Sequence, residues 1–171
     1  MQFDNPIAVG NTAEIFLQNG RVVKLFKCHL PETEAEFEAA KQRHACKLGI
    51  KVPHIFDVTK INGRPAIVME YIPGRTLMSM ILDEPSKVEH YLNICVEEQL
   101  KLHAIPYCHG DFHAGNLILG QDGVTIIDWV DANDGEVQAD VHRTYSLYAK
   151  HSPELAELYL RAYRNKEKDQ L

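Results

Sequence analysis

The sequence predicts an α+β chain in two parts: an antiparallel sheet with one helix, then a mainly helical part carrying a short hairpin. Three observations predict it. Strand-like runs in the first part are joined by Asn-Gly pairs, Asn19-Gly20 and Asn62-Gly63, the strongest short-range hairpin signal. Pro73-Gly74 then punctuates the chain, which places a boundary between residues 1–72 and 73–171. Helical patterns dominate the second part.

Residues 12–17 (TAEIFL) and 21–27 (RVVKLFK) read as the first hairpin. Residues 31–48 read as a helix. Pro31 and the acids after it suit a first turn, Phe37, Ala40, Ala45 and Leu48 fall along one side, and Gly49 fits the stop. Residues 52–58 and 66–71 read as a second strand pair. Helices are predicted over 76–82 and 86–104. A loop over 105–115 leads to short strands at 117–119 and 124–127. Residues 136–150 and 153–166 read as the closing helices, with Ser152-Pro153-Glu154 as a helix start. Arg164–Lys168 is expected to be a solvated, fraying end.

Composition narrows the function. The 171 residues carry 18 Lys+Arg against 24 Asp+Glu, a balance of −6, with 45% hydrophobic and 25% charged residues. These are ordinary globular values. A mildly acidic chain lacks the basic face of a nucleic-acid binder. No apolar run approaches the roughly 20 residues needed to span a bilayer, so no membrane association is expected. The opening MQFDNPIAVG has no basic region followed by an apolar run, so no secretory signal is expected and a cytoplasmic location is. Cys28, Cys46, Cys95 and Cys108 lie far apart without a CxxC pair. They read as reduced thiols rather than as zinc ligands or disulfides.

The chemistry concentrates in HGDFHAGNLIL, residues 109–119. Asp111 and, five residues on, Asn116 stand in a loop before a hairpin. Asp128 comes later, in IIDW. Phosphoryl transfer from a metal-bound nucleotide wants this set: one carboxylate orients the acceptor hydroxyl, while an amide oxygen and a second carboxylate hold Mg²⁺ against the phosphates. Upstream, residues 9–13 (VGNTA) sit where a hairpin would cover phosphates. Lys24 is on the next strand, and Glu34, Glu36 and Glu38 on the following helix are its candidate partners. A cleft between two lobes would be a natural place for the ligand.

With these strings in view, the chain resembles the aminoglycoside phosphotransferase/choline kinase branch of the protein-kinase-like fold, and more narrowly the bacterial "phosphotransferase enzyme family". HGDFHAGN (109–116), IIDWVDA (126–132), GIKVPHIFDV (49–58), IVMEYIPGRTL (67–77) and ADVHRTYSLY (139–148) carry the resemblance. It implies a two-lobed kinase-like fold, ATP and Mg²⁺ as cofactors, and a small-molecule hydroxyl acceptor such as an amino sugar or amino alcohol. Asp111 would be the catalytic base, and Asn116 and Asp128 the metal ligands. Lys24 would contact the α/β-phosphates and pair with Glu38, or else Glu36. Gly10, Asn11 and Thr12 would cover the phosphates. Glu70, Tyr71 and Ile72 would form the hinge against adenine, with Ile118 and Ile127 lining its pocket.

Two departures stand out. Only four residues, 105–108, separate Leu102-His103-Ala104 from His109, where relatives carry a longer helical insertion. Relatives also continue with further helices after the one starting at Pro153. Both pieces normally build the acceptor pocket, so the substrate-reading parts are expected to be reduced, and a homodimer is a further expectation. A small atypical protein kinase and a nucleotide-binding remnant are the competing readings. His109 and Asp140 are expected to hold the loop. His113 would line the acceptor site or pack beneath the loop. Asp131 and Asp134 would meet a cationic acceptor or cap turns. Tyr145, Leu147, Tyr148 and Tyr159 are expected as core packing.

Overall fold

The computed structural model describes residues 3–105 and 107–169. Met1, Gln2, Gln170, Leu171 and Pro106, the last within the predicted 105–115 loop, lie outside the described residues. The fold is α+β and kinase-like, with an antiparallel N-terminal sheet. Its chain divides into two compact units, Met1–Ile72 and Pro73–Leu171.

The first unit is a five-stranded sheet in the order β1-β2-β3-β5-β4. Its strands are β1 (Ala8–Val9), β2 (Ala13–Gln18), β3 (Arg21–Phe26), β4 (Ile55–Ile61) and β5 (Arg64–Glu70), all paired antiparallel. Both Asn-Gly pairs sit in two-residue turns. Asn19 and Gly20 have φ of 50° and 72°, Asn62 and Gly63 51° and 78°. Left-handed backbone at both central residues matches the right-handed twist of the flanking strands.

Strand alternation divides the unit's core. Val23 and Leu25 join Phe16 and Ala66 in one cluster. Phe26 joins Ala13, Ile67 and Met69 in the other, together with Ala35 and Ala39 of helix α1 (Glu34–Lys47). Lys24, between Val23 and Leu25, therefore shares the face of Phe26 and α1.

The helix corrects the predicted apolar side. The buried residues are Ala35, Glu38, Ala39, Gln42 and Ala45. Phe37 is 63% exposed, Leu48 37%, and Ala40 is exposed. The face turned inward carries two polar residues that have buried partners, so hydrophobic spacing placed Ala45 correctly but failed for Phe37, Ala40 and Leu48. The helix also starts at Glu34 rather than Pro31. β4 begins at Ile55, not at residue 52. Pro53 offers the ladder no N–H, and its carbonyl accepts Gln42 Nε2 at 2.7 Å instead. β5 starts at Arg64 because the turn has two residues, and Tyr71 falls beyond its end.

The second unit holds a three-stranded sheet in the order β6-β7-β8: β6 (Arg75–Thr76), β7 (Leu117–Gly120) and β8 (Gly123–Ile126). Helix α2 (Leu77–Asp83) starts behind Thr76, whose Oγ1 accepts Ser79 N–H at 3.1 Å. The predicted helix over 86–104 is divided into a 3₁₀ turn, Pro85–Lys87, and α3 (Val88–His103). The last two helices are α4 (Val137–Ala149) and α5 (Pro153–Asp169). Ser152 Oγ accepts Leu155 N–H at 3.1 Å at the head of α5.

α5 is helical to Asp169, and Arg164, Asn165 and Lys168 are exposed on it, in keeping with the solvated end expected over Arg164–Lys168. Side chains on α5 tie it to α3: Lys166 Nζ reaches Glu97 Oε1 at 2.5 Å, and Arg161 reaches Glu89 at 2.5 Å.

The core of this unit gathers Leu92, Val96 and Leu102 of α3, Leu117, Ile126 and the fully buried Trp129. Trp129 donates Nε1–H to Ile126 O at 3.1 Å and lies against the rings of Tyr107 and His109. No helix among the described residues is long and apolar enough to cross a membrane.

Candidate active site

In the first unit, Lys24 and Glu38 meet in the sheet–helix interior. Lys24 Nζ lies 2.7 Å from Glu38 Oε1, with side-chain exposures of 7% and 1%. Glu36 is exposed and Glu34 half-buried. Gly10, Asn11 and Thr12 form the link between β1 and β2. It is closed by Gly10 N–H to Ala13 O at 2.8 Å, while Lys27 N–H reaches Thr12 O at 2.9 Å. At the end of β5, Glu70 has its N–H committed to His54 O at 2.8 Å, and its carboxylate accepts His54 N–H at 3.1 Å. Tyr71 is exposed and Ile72 half-buried.

In the second unit, residues 109–116 form a tethered loop ending in a 3₁₀ turn, Ala114–Asn116. His109 is wholly buried. Its Nε2 donates to Ile127 O at 3.0 Å, and its Nδ1 accepts Asp111 N–H at 3.3 Å. Burial pushes its pKa down, against the upward pull of the Ile127 hydrogen bond and of Asp128, Asp140 and Asp111. Asn116 Nδ2 donates to Asp111 O at 2.9 Å and lies 3.3 Å from Asp111 Oδ2. His113 Nε2 stands 3.6 Å from the same oxygen. The His113 imidazole, with help from His109 and Asn116, outweighs burial and holds the Asp111 carboxyl below its usual range.

Asp128 enters from the other side of the β7–β8 hairpin. Ile127 N–H donates to Asn116 O at 2.9 Å, so Asn116 and Asp128 flank the hairpin's open end. Asp128 has φ 66°, a left-handed conformation that concentrates at functional positions. Ile118 and Ile127 are both half-buried, and Ile118 pairs with Thr76 and Thr125. Asp131 receives Arg143 at 3.1 Å, and Asp134 is exposed.

Two residues carry more than the sequence suggested. Tyr148, read as core packing, accepts Ala114 N–H on its phenolic oxygen at 2.9 Å. Tyr159, read the same way, donates to Gln99 Oε1 at 2.7 Å. Asp140 accepts Gly110 N–H at 2.9 Å and His103 Nε2 at 3.0 Å. Burial raises its pKa, but hydrogen bonds from His103, Gly110 and Gln99 win and leave it lowered. The available signal was spacing: Asp140, Thr144 and Tyr148 recur every four residues, and a buried tyrosine hydroxyl needs a partner.

The second unit thus holds a carboxylate and an amide in one tethered loop, with a second carboxylate just past the hairpin, and the first unit separately holds a buried Lys–Glu pair. The sequence profile of the "Phosphotransferase enzyme family" matches residues 5–107 and 106–171. The chain belongs to that family. It is also 32% identical over 139 residues to "KEOPS complex subunit Bud32" of Pyrococcus abyssi (strain GE5 / Orsay), covering 75% of this chain and 57% of that protein. The chain thus spans little more than half the length of this relative.

Proposed function

We propose that the chain uses ATP and Mg²⁺ to phosphorylate a hydroxyl of a small molecule, an amino sugar, amino alcohol or related metabolite, in the cytoplasm. The observation that supports this best is the hold of Asn116 on Asp111 through both the backbone oxygen and Oδ2. With its N–H₂ turned to Asp111, Asn116 keeps its amide oxygen as an acceptor. That oxygen and the Asp128 carboxylate make a hard-oxygen donor set, which suits Mg²⁺. Bound Mg²⁺ would offset phosphate charge. Asp111, held ionised, accepts the acceptor's hydroxyl proton as its oxygen bonds to the γ-phosphorus and ADP departs. Lys24, oriented by Glu38, would meet the α/β-phosphates. Gly10–Thr12 would cover them, and the segment from Glu70 to Ile72, with Ile118 and Ile127, would hold adenine.

The test is calorimetric titration of ATP with and without Mg²⁺, followed by a γ-phosphate transfer screen over hydroxyl metabolites. Saturable, Mg²⁺-dependent binding weakened by Asp128→Ala, and transfer abolished by Asp111→Asn, are expected. Retained turnover in Asp111→Asn would overturn its role. A second reading has one supporting observation: the relative's name makes it a complex subunit. On that reading the acceptor is a protein, and label would enter mixed proteins but not metabolites. Binding without any transfer would mark a nucleotide-binding remnant. Sedimentation at high concentration would test the proposed homodimer.

A further inference from the structure

His113 heads the 3₁₀ turn in extended backbone, φ −157° and ψ 164°. Its Nδ1 accepts Gly115 N–H at 3.0 Å. An acceptor Nδ1 places the ring proton on Nε2, and Nε2 is the atom 3.6 Å from Asp111 Oδ2. The ring's seat depends on its neighbour: a Cβ on Gly115 would lie 2.7 Å from His113 Cε1 and 2.8 Å from Nδ1. Asn116 Nδ2 donates to the same Asp111 oxygen at 3.3 Å.

We infer that His113 is a positioning residue for Asp111. Capping the turn through Nδ1 aims Nε2–H at Asp111 Oδ2. Asn116 Nδ2 donates to that oxygen at 3.3 Å and His113 Nε2–H faces it at 3.6 Å, an electrostatic contact longer than a hydrogen bond, which leaves Oδ1 to meet the acceptor hydroxyl. The inference rests on the phosphotransfer reading of the loop. It makes Gly115 part of the same device, because only glycine leaves room for the ring.

Two variants separate the ring's nitrogens. His113→Asn supplies an acceptor where Nδ1 was but does not reach Asp111. His113→Gln reaches toward Asp111 but gives up the cap. Each is compared with wild type, His113→Ala and Asp111→Asn by thermal unfolding and by MgATP turnover with water as acceptor. The expected result for His113→Asn is an unchanged melting point, an unchanged KM for ATP, and a kcat lower by about tenfold or more. His113→Gln should melt lower yet recover part of the kcat lost in His113→Ala. A wild-type kcat in His113→Asn overturns the inference. If Asp111→Asn also keeps wild-type turnover, the phosphotransfer reading falls as well. The ¹⁵N spectrum of the ring gives a readout independent of turnover: Nε2–H with a bare Nδ1 is expected, and the opposite tautomer overturns the proposal.

Discussion

Tyr148 on α4 receives the Ala114 N–H at 2.9 Å, and about two turns earlier on the same helix Asp140 receives the Gly110 N–H at 2.9 Å. Asp111 lies between these tethers. One rigid helix thus suspends the loop from both ends, a backbone arrangement that a static site requires. Tyr148→Phe keeps the ring and removes the oxygen. It leaves a buried N–H without its acceptor, at a cost of about 1–3 kcal/mol. Urea unfolding should register that loss, and hydrogen exchange at Ala114 should accelerate. Unchanged exchange there would show that the tether is not holding the loop.

Gly110 is fixed by space as well as by conformation. Its φ is 77°, and a Cβ would lie 2.4 Å from the backbone oxygen of Asp131. A backbone atom does not swing aside. Gly110→Ala should therefore destabilise the second unit by more than the roughly 1–3 kcal/mol of left-handed strain alone. Gly123→Ala is the comparison, since φ is 100° there but nothing lies within 4 Å. Equal melting points for the two variants would contradict the close approach.

Glu38 and Glu36 are two residues apart and differ in every respect that matters. Glu38→Gln removes the carboxylate from a buried pair, which costs about 3–5 kcal/mol. Glu36→Gln changes an exposed side chain, and the effect should stay within about 0.5 kcal/mol. Chemical unfolding of both variants checks this. A comparable loss from Glu36→Gln would mean that the interior pairing is not the one at 2.7 Å.

Much of this was legible. The Asn-Gly turns announced both hairpins because few residues accept left-handed backbone twice in succession. HGDFHAGN announced the loop because its carboxylate and amide spacing has no simple packing explanation. The α1 face was not legible, since Glu38 and Gln42 are buried by polar partners while Phe37 is exposed. β1 and β6 have two residues each, too few for any period. Tyr148 looked apolar in a helical stripe, and only its partner, remote in sequence, shows what its oxygen does.

Acid should weaken the fold in two stages. His109 is buried neutral, with its pKa pushed below the ordinary value of about 6.5. Below that pH the unfolded chain binds a proton that the folded chain refuses. Stability therefore falls as pH drops from about 6.5 toward the folded value, by at most about 1.4 kcal/mol per unit for this one group. Asp111 and Asp140 have lowered folded pKa values. Their contribution is present above the ordinary carboxylate range and is lost on further acidification through those lowered values. Urea unfolding across roughly pH 7.5 to 3 in wild type and His109→Gln separates the stages. The variant should lose the slope that begins near pH 6.5 and keep the acidic one. If the upper slope survives the substitution, another group refuses the proton, and the buried imidazole is not the source of the pH dependence.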